Sequence, residues 1–175
     1  ANPLAVGTVG SDGGPYLALL NERGIDTTYL NQLEDHATAT AIIGTDSHER
    51  QITFFAPGAD QHGTWPDLSQ ERDDLAYAIV SPCDIGFMQA GLAWCKEYGV
   101  PVYVDPGQQI HNFSDDDLRR AVEGSAGVIV NEYEWSILQS KLQCDEEACL
   151  RQVEQLIVTR GEAGVTVFDR EGALN

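Results

Sequence analysis

Apolar residues along the chain fall into short dense runs, set apart by polar or glycine-rich stretches. Leu75–Val80, Val100–Val104, Gly127–Val130 and the run opening at Leu156 are nearly continuous in aliphatic and β-branched residues. Such runs predict strands covered on both faces, the usual state of a parallel sheet lying between helices. Leu4–Val9 is strand-like at the start of the chain, and Val165–Phe168 adds a strand after a glycine-rich turn. Helical spacing fills the intervals. A helix over Tyr16–Glu22 is expected to turn Tyr16, Leu17, Leu19 and Leu20 inward and to stop at Gly24. Further helices are predicted over Phe87–Tyr98, ended by Gly99, then from Ser114 to about Gly124, from Glu132 onward, and over Asp145–Gln155. Ser114 is a helix cap, and Asp115, Asp116 and Asp117 complement the helix dipole, so that acidic run needs no metal.

A different rhythm runs from Thr38 to Phe55. Small, polar and β-branched residues alternate on both sides of the polar segment Gly44–Arg50, which predicts a β-hairpin standing off the main sheet. Phe54 and Phe55 point to opposite faces of its second strand. Either one packs inward while the other lines a ligand pocket, or both are core residues. Residues 60–74 read as a loop and a short exposed helix. The pattern as a whole is an α/β fold with a mainly parallel sheet and a hairpin appendage.

In parallel sheets ligands bind beyond the carboxyl ends of the strands. That rule singles out Asn131, Glu134, Thr159 and Gly161, and also the turn Asp105-Pro-Gly-Gln108. Helix capping by Asn131, a plain turn at Gly161 and a tight turn at 105–108 are the structural alternatives. Asp12 is read as a helix-capping carboxylate in preference to a catalytic one.

Composition narrows the choice. A chain of 175 residues with 42% hydrophobic content can build one globular core. Its formal charge of −18, from 28 acidic and 10 basic residues, leaves no basic stripe for a nucleic-acid backbone or an anionic membrane. Only two of the cations are lysine. Cys83, Cys95, Cys144 and Cys149 form no C-x-x-C and stand at no zinc spacing from His36, His48, His62 or His111. Reduced thiols, solvated histidines and a cytoplasmic location are therefore expected. No apolar run approaches the roughly 18 residues of a membrane span. The abrupt start, at Ala1 and without methionine, and the finish inside a hairpin-like segment read as an internal piece of a longer chain.

Asn131-Glu-Tyr-Glu134 after a buried strand, followed by Ile-Val-Thr159-Arg-Gly161-Glu-Ala-Gly164, resembles the ribokinase-like (PfkB-type) family of ATP-dependent sugar and nucleoside kinases. Gly7-Thr-Val-Gly10-Ser-Asp12 is similar to that family's G-x-V-G-x-D segment. Gly24-Ile-Asp26-Thr is similar to its turn leading to a lid. The hairpin and the Pro57-Gly58-Ala59 turn resemble the lid and its exit. The aromatic lid strand, the Asp105-Pro-Gly-Gln108 turn and the T-R-G stretch look most similar to bacterial adenosine-kinase-like members. The resemblance implies a ribokinase-like three-layer sandwich, incomplete at both ends, over residues 1–175, with a lid hairpin at 37–59. It implies phosphoryl transfer from ATP to a primary hydroxyl of a sugar or nucleoside, adenosine favoured. By the family's pattern Asn131 and Glu134 would organise Mg²⁺, and Thr159, Gly161 and Gly164 would meet the nucleotide. Phe54, Phe55, Gly58, Asp105 and Gln108 would border the acceptor. A homodimer through the exposed lid edge is a further expectation. The family's diglycine acceptor segment and its G-A-G-D motif, which carries the catalytic aspartate, have no counterpart in the sequence. No catalytic residue is therefore assigned, and these residues alone are expected to be inactive. Two alternatives stand beside the kinase: a non-catalytic nucleotide- or ligand-binding module, and an unrelated doubly wound protein. The second lacks the support of any G-x-S-x-G, Walker or G-x-G-x-x-G stretch.

Overall fold

The computed structural model describes residues 2–47 and 51–174, and the chain divides into two compact units, 1–66 and 67–175. His48, on which the sequence reading placed a solvated loop, lies outside the described residues.

In the first unit β1 (Leu4–Gly10) leads through α1 (Gly14–Glu22) to β2 (Asp26–Leu33), and the two strands pair in parallel. The segment after Gly24, expected as a turn into the hairpin, is thus an eight-residue strand. Its sequence hid this, because polar residues dominate Asp26–Leu33 and only the β-branched and aromatic Thr27, Thr28 and Tyr29 favour a strand. Asp26 sets its start: the Thr28 amide and hydroxyl both donate to Asp26 Oδ1, at 2.9 and 2.6 Å.

The inward face expected of α1 is not buried. Tyr16 is 51% and Leu19 41% exposed, and no residue of the helix is fully covered. Nor does Asp12 cap it. The helix N-cap is Gly13, with no side-chain hydrogen bond, and Pro15 stands in the first turn.

β3 (Thr40–Thr45) and β4 (Gln51–Ala56) form the expected antiparallel hairpin, a two-stranded sheet of its own. Neither Phe54 nor Phe55 packs inward; they are 69% and 56% exposed. Ile42 lies opposite Phe54, so Ile42, Ile52 and Phe54 share one open face.

The second unit is built on a six-stranded sheet in the order β10-β9-β8-β7-β6-β5. β5 (Ala78–Val80), β6 (Val102–Val104), β7 (Gly127–Asn131) and β8 (Gln155–Thr159) run parallel, while β9 (Val165–Asp169) and β10 (Gly172–Leu174) are antiparallel additions. Val102, Val104, Val128, Val130, Leu156 and Val158 are all fully buried. Ile129 and Ile157, on the other face, are half-buried, so cover is deeper on one side than the continuous runs suggested. Helices α2 (Ile85–Tyr98), α3 (Asp115–Val122), α4 (Glu132–Leu142) and α5 (Glu146–Leu150) supply the rest of the core, with Met88, Leu92, Leu118, Leu138 and Cys149 buried.

Helix starts follow local chemistry. Asp84, Ser114, Asn131 and Asp145 each accept a backbone N–H of their own first turn. α5 is much shorter than the helix expected to reach Gln155. Beyond Leu150 the backbone is drawn to the α3–β7 connection: the Gly124 amide donates to Gln152 O, and Glu154 and Gln155 amides donate to Ala126 O.

Candidate functional site

The tips of β6, β7 and β8 gather most of the sequence-predicted polar residues. Asn131 ends β7 and Thr159 ends β8, and the two are direct neighbours across the parallel ladder. Thr159 Oγ1 sits 3.5 Å from Val130 O. Asn131 and Glu134 form a full capping box: the Glu134 amide donates to Asn131 Oδ1 and the Asn131 amide donates to Glu134 Oε2, both at 2.8 Å. Capping and ligand binding are compatible here. The box engages one carboxylate oxygen of Glu134 and leaves its other oxygen outside the exchange.

Asp105, at the end of β6, stands close enough to feel Glu134. Burial first, and the Glu134 charge second, push its carboxyl above the usual carboxylate range. A carboxylate that feels a second one gains from a nearby cation, and Asp105 after β6 with Glu134 in the first turn of α4 suits Mg²⁺ held by one or two carboxylates with substrate phosphates and water completing the shell. Among the described residues no group of three or more His, Cys, Asp or Glu could hold a metal ion by itself. Asp105, which the sequence offered as an acceptor contact, thus lies within reach of the Glu134 charge. The turn after it is a 3-10 segment, Gly107–His111, packed so closely that a Cβ on Gly107 would lie 2.3 Å from Pro82 Cγ. Gln108 is exposed, while Gln109 is anchored through Nε2 to Cys83 O at 2.6 Å.

After Thr159 the chain makes a 3-10 turn, Gly161–Ala163, closed by the Arg160 amide donating to Gly164 O at 2.8 Å. Gly161 and Gly164 have φ of +56° and +88°, conformations that favour glycine, and a Cβ at either would meet no protein atom within 4 Å. The turn presents open backbone to solvent. Arg160, for which the sequence suggests no role, spans this tip: its Nη1 donates to Glu132 Oε1 at 2.5 Å and its Nε to Thr166 Oγ1 at 3.0 Å.

The remaining candidates lie in the first unit. Gly58 takes φ +49°, and a Cβ there would lie 2.3 Å from Ala37 O. That glycine is required by the close approach of the 36–38 segment, whose Ala37 O also accepts the Ala59 amide at 2.8 Å. Asp12 holds the same segment, since the Thr38 amide and hydroxyl donate to Asp12 Oδ1 at 2.7 and 2.6 Å. His36 and His62, taken as scattered in the sequence, stack with ring centroids 3.9 Å apart. The Thr38 hydrogen bonds hold the Asp12 carboxyl below its usual value. A depressed carboxylate value stabilises the fold above the ordinary Asp pKa of about 3.9, and that contribution is lost as pH falls through the folded value. The Thr38 amide resonance is expected to titrate with a midpoint below 3.9 and to stop titrating in Asp12→Asn. A midpoint at or above the ordinary value would contradict the contact.

All four cysteines are free, and burial pushes the Cys95 thiol up to about 11 and the Cys149 thiol to about 12. Among the described residues no helix is long and apolar enough to cross a membrane.

Comparison with known proteins matches residues 1–175 to the family described as pfkB family carbohydrate kinase. A nucleoside kinase of Methanothermobacter thermautotrophicus is 29% identical over 167 residues, covering 93% of this chain and 54% of that protein. A fructokinase of Escherichia coli is 29% identical over 191 residues, covering 94% of this chain and 60% of its own length. Among solved structures, Burkholderia thailandensis nucleoside kinase in complex with inosine superposes with a TM-score of 0.89 at 32% identity, over 100% of this chain and 57% of that one. The same kinase is also known in complex with ADP-inosine. The chain spans about half the length of the curated relatives it matches.

Proposed function

The chain belongs to the pfkB family of carbohydrate kinases and has its ribokinase-like fold, and on that premise we propose that it carries the metal and nucleotide half of an ATP-dependent kinase acting on a primary hydroxyl of a nucleoside or sugar. The observation that supports this most is the meeting of the β7 and β8 tips, which sets Asn131, the capping partner of Glu134, beside Thr159, two residues before Gly161. Bound Mg²⁺ would neutralise phosphate charge here, with Glu134, Asn131 and Asp105 as its holders. The open glycine turn at 161–164 lets the nucleotide approach the backbone, with Thr159 beside it. A purine nucleoside, adenosine above others, is the favoured acceptor. The inosine held by the B. thailandensis relative and the two exposed aromatics on β4 support that choice, since a purine face stacks on Phe54 or Phe55. Asp105, Gln108 and Gly58 remain the other acceptor candidates. The sequence holds no G-A-G-D stretch, so these residues alone bind nucleotide without turning it over. A cytoplasmic location accompanies this reading.

Calorimetric titration of the chain with Mg-ATP tests it. Glutamine also serves at the third position of a capping box, so Glu134→Gln keeps the helix start while removing a cation ligand. It is expected to weaken Mg-dependent nucleotide binding by about tenfold or more, with the melting temperature nearly unchanged. Wild-type affinity in Glu134→Gln removes the metal role, and no binding by the wild type at millimolar Mg-ATP removes the whole reading.

We also propose that the exposed edge of β3–β4 pairs with the hairpin edge of a second copy, setting the Ile42, Ile52 and Phe54 faces of the two hairpins side by side. Sedimentation is expected to show a dimer that Phe54→Asp dissociates. A wild-type monomer at high protein concentration would end the idea.

A further inference from the structure

The strand tips carry the carboxylates of Asp105, Glu132 and Glu134 and the guanidinium of Arg160. A triphosphate arriving there meets repulsion from three acids and attraction from this cation. Arg160 reaches out of β8 to Glu132, a residue flanked on one side by Asn131 and two short of Glu134. The pair is open to water, with side chains 35% and 61% exposed. An ion pair so exposed favours its closed form by about fivefold at most. That is too little to brace the turn, which its own backbone bond from Arg160 to Gly164 O and the β8–β9 ladder already hold. The Nε bond to the buried Thr166 hydroxyl keeps the guanidinium at the tip while its outer nitrogens stay exchangeable. A phosphate accepts a guanidinium fork through two parallel hydrogen bonds and carries more charge than one carboxylate.

We propose that Arg160 is a phosphate-binding residue, held on Glu132 in the nucleotide-free chain and passed to a nucleotide phosphate on binding, with Glu132 as a placeholder. The exchange swaps one charge-assisted hydrogen bond for another and changes no covalent bond. It rests on the kinase reading above and adds to it a residue and a resting state for that residue.

The test is calorimetric titration of the 175-residue chain with ATP in excess Mg²⁺, on the wild type, Glu132→Gln, Arg160→Met and the double variant. Glu132→Gln is expected to tighten binding by about three- to fivefold, because the competitor for the guanidinium is gone. Arg160→Met is expected to weaken it by about tenfold. In the double variant the benefit of the glutamine disappears, because no guanidinium remains to be released. Arg160→Lys restores only part of the affinity, since an ammonium lacks the fork. Weaker binding in Glu132→Gln would make the pair a brace and overturn the proposal. Equal tightening with and without Arg160 would reduce Glu132 to simple repulsion and overturn it too. Unchanged affinity in Arg160→Met would take the residue off the phosphate. Absence of binding by the wild type would remove the kinase reading and this proposal together, whereas a wrong sign on an intact wild-type affinity removes the proposal alone.

Discussion

Lys96→Met is expected to cost the second unit about 3 kcal/mol, the sum expected for the charge-assisted hydrogen bonds lost at the end of α3, where Arg120 O and Glu123 O lose this donor while Ala121 O keeps the Ser125 hydroxyl. The Lys96 ammonium donates to the carbonyls of Arg120, Ala121 and Glu123, the last two at 3.2 and 2.6 Å. These are carbonyls of the last turn of α3, which the helix cannot satisfy within itself and which form the negative end of its dipole. Methionine keeps the aliphatic stem packed in α2 and removes only the charge and the donors, so the substitution isolates the cap. At about 4–8 °C per kcal/mol for a unit of this size, calorimetry should show a fall of about 12 °C or more. A fall of under about 4 °C would mean that water serves those carbonyls equally well. Lys141, the other lysine of this acidic chain, likewise donates to a carbonyl, Phe113 O at 2.6 Å. The scarcity of lysine thus has a structural side: both lysines are tied to the backbone, and neither is spent on a solvated surface.

What the sequence disclosed and what it withheld divide along physical lines. The parallel core was legible because Val128, Val130, Leu156 and Val158 sit in unbroken apolar runs that water excludes wherever they fold. Helix starts at Ser114 and Asn131 were legible because their partners are three residues away, within reach of local pattern. Contacts between distant segments left no such trace. Asp12 follows a strand and precedes a helix, the place of a cap, yet its partner is Thr38, 26 positions on. Arg160 is one cation among ten until the fold brings Glu132 to it across 28 positions. β2 was missed because its outward residues are polar, and period-two alternation shows only when one face is markedly apolar. The gathering of Asn131 and Thr159 at neighbouring strand tips was foreseeable, while the influence of Glu134 on Asp105 was not. A carboxylate's neighbours depend on sheet order, and adjacent parallel strands are joined here by helices whose lengths say nothing about which tips meet.

Gly10→Ala is expected to disturb the first unit by about 2–4 kcal/mol, the range of a buried clash that also breaks backbone hydrogen bonds. A Cβ on Gly10 would stand 2.3 Å from His36 O, Ala37 C and Thr38 N, all backbone atoms with no rotamer to turn away. The 36–38 segment cannot retreat in the other direction, because Ala37 O already lies where a Cβ on Gly58 would fall. Moving it breaks the Ser11 amide bond to His36 O at 2.9 Å and the Gly10 amide bond to Thr38 Oγ1 at 2.9 Å, and with them the grip of Asp12 on Thr38. Little else holds the unit together, since Val9 and Ala59 are its fully buried apolar side chains among the described residues. Two readouts separate a local shift from general unfolding. Limited proteolysis should open between residues 34 and 40 before it attacks the second unit, and the His36 and His62 ring resonances should lose the mutual shielding of their stack. Because β3 begins two residues beyond Thr38, the same substitution loosens the base of the hairpin that carries Phe54 and Phe55. That loosening should leave the affinity for Mg-ATP alone, since every nucleotide ligand proposed for this chain lies in the second unit. Wild-type melting together with an unmoved Thr38 amide resonance in Gly10→Ala would show that the segment yields freely and that the two glycines do not fix it.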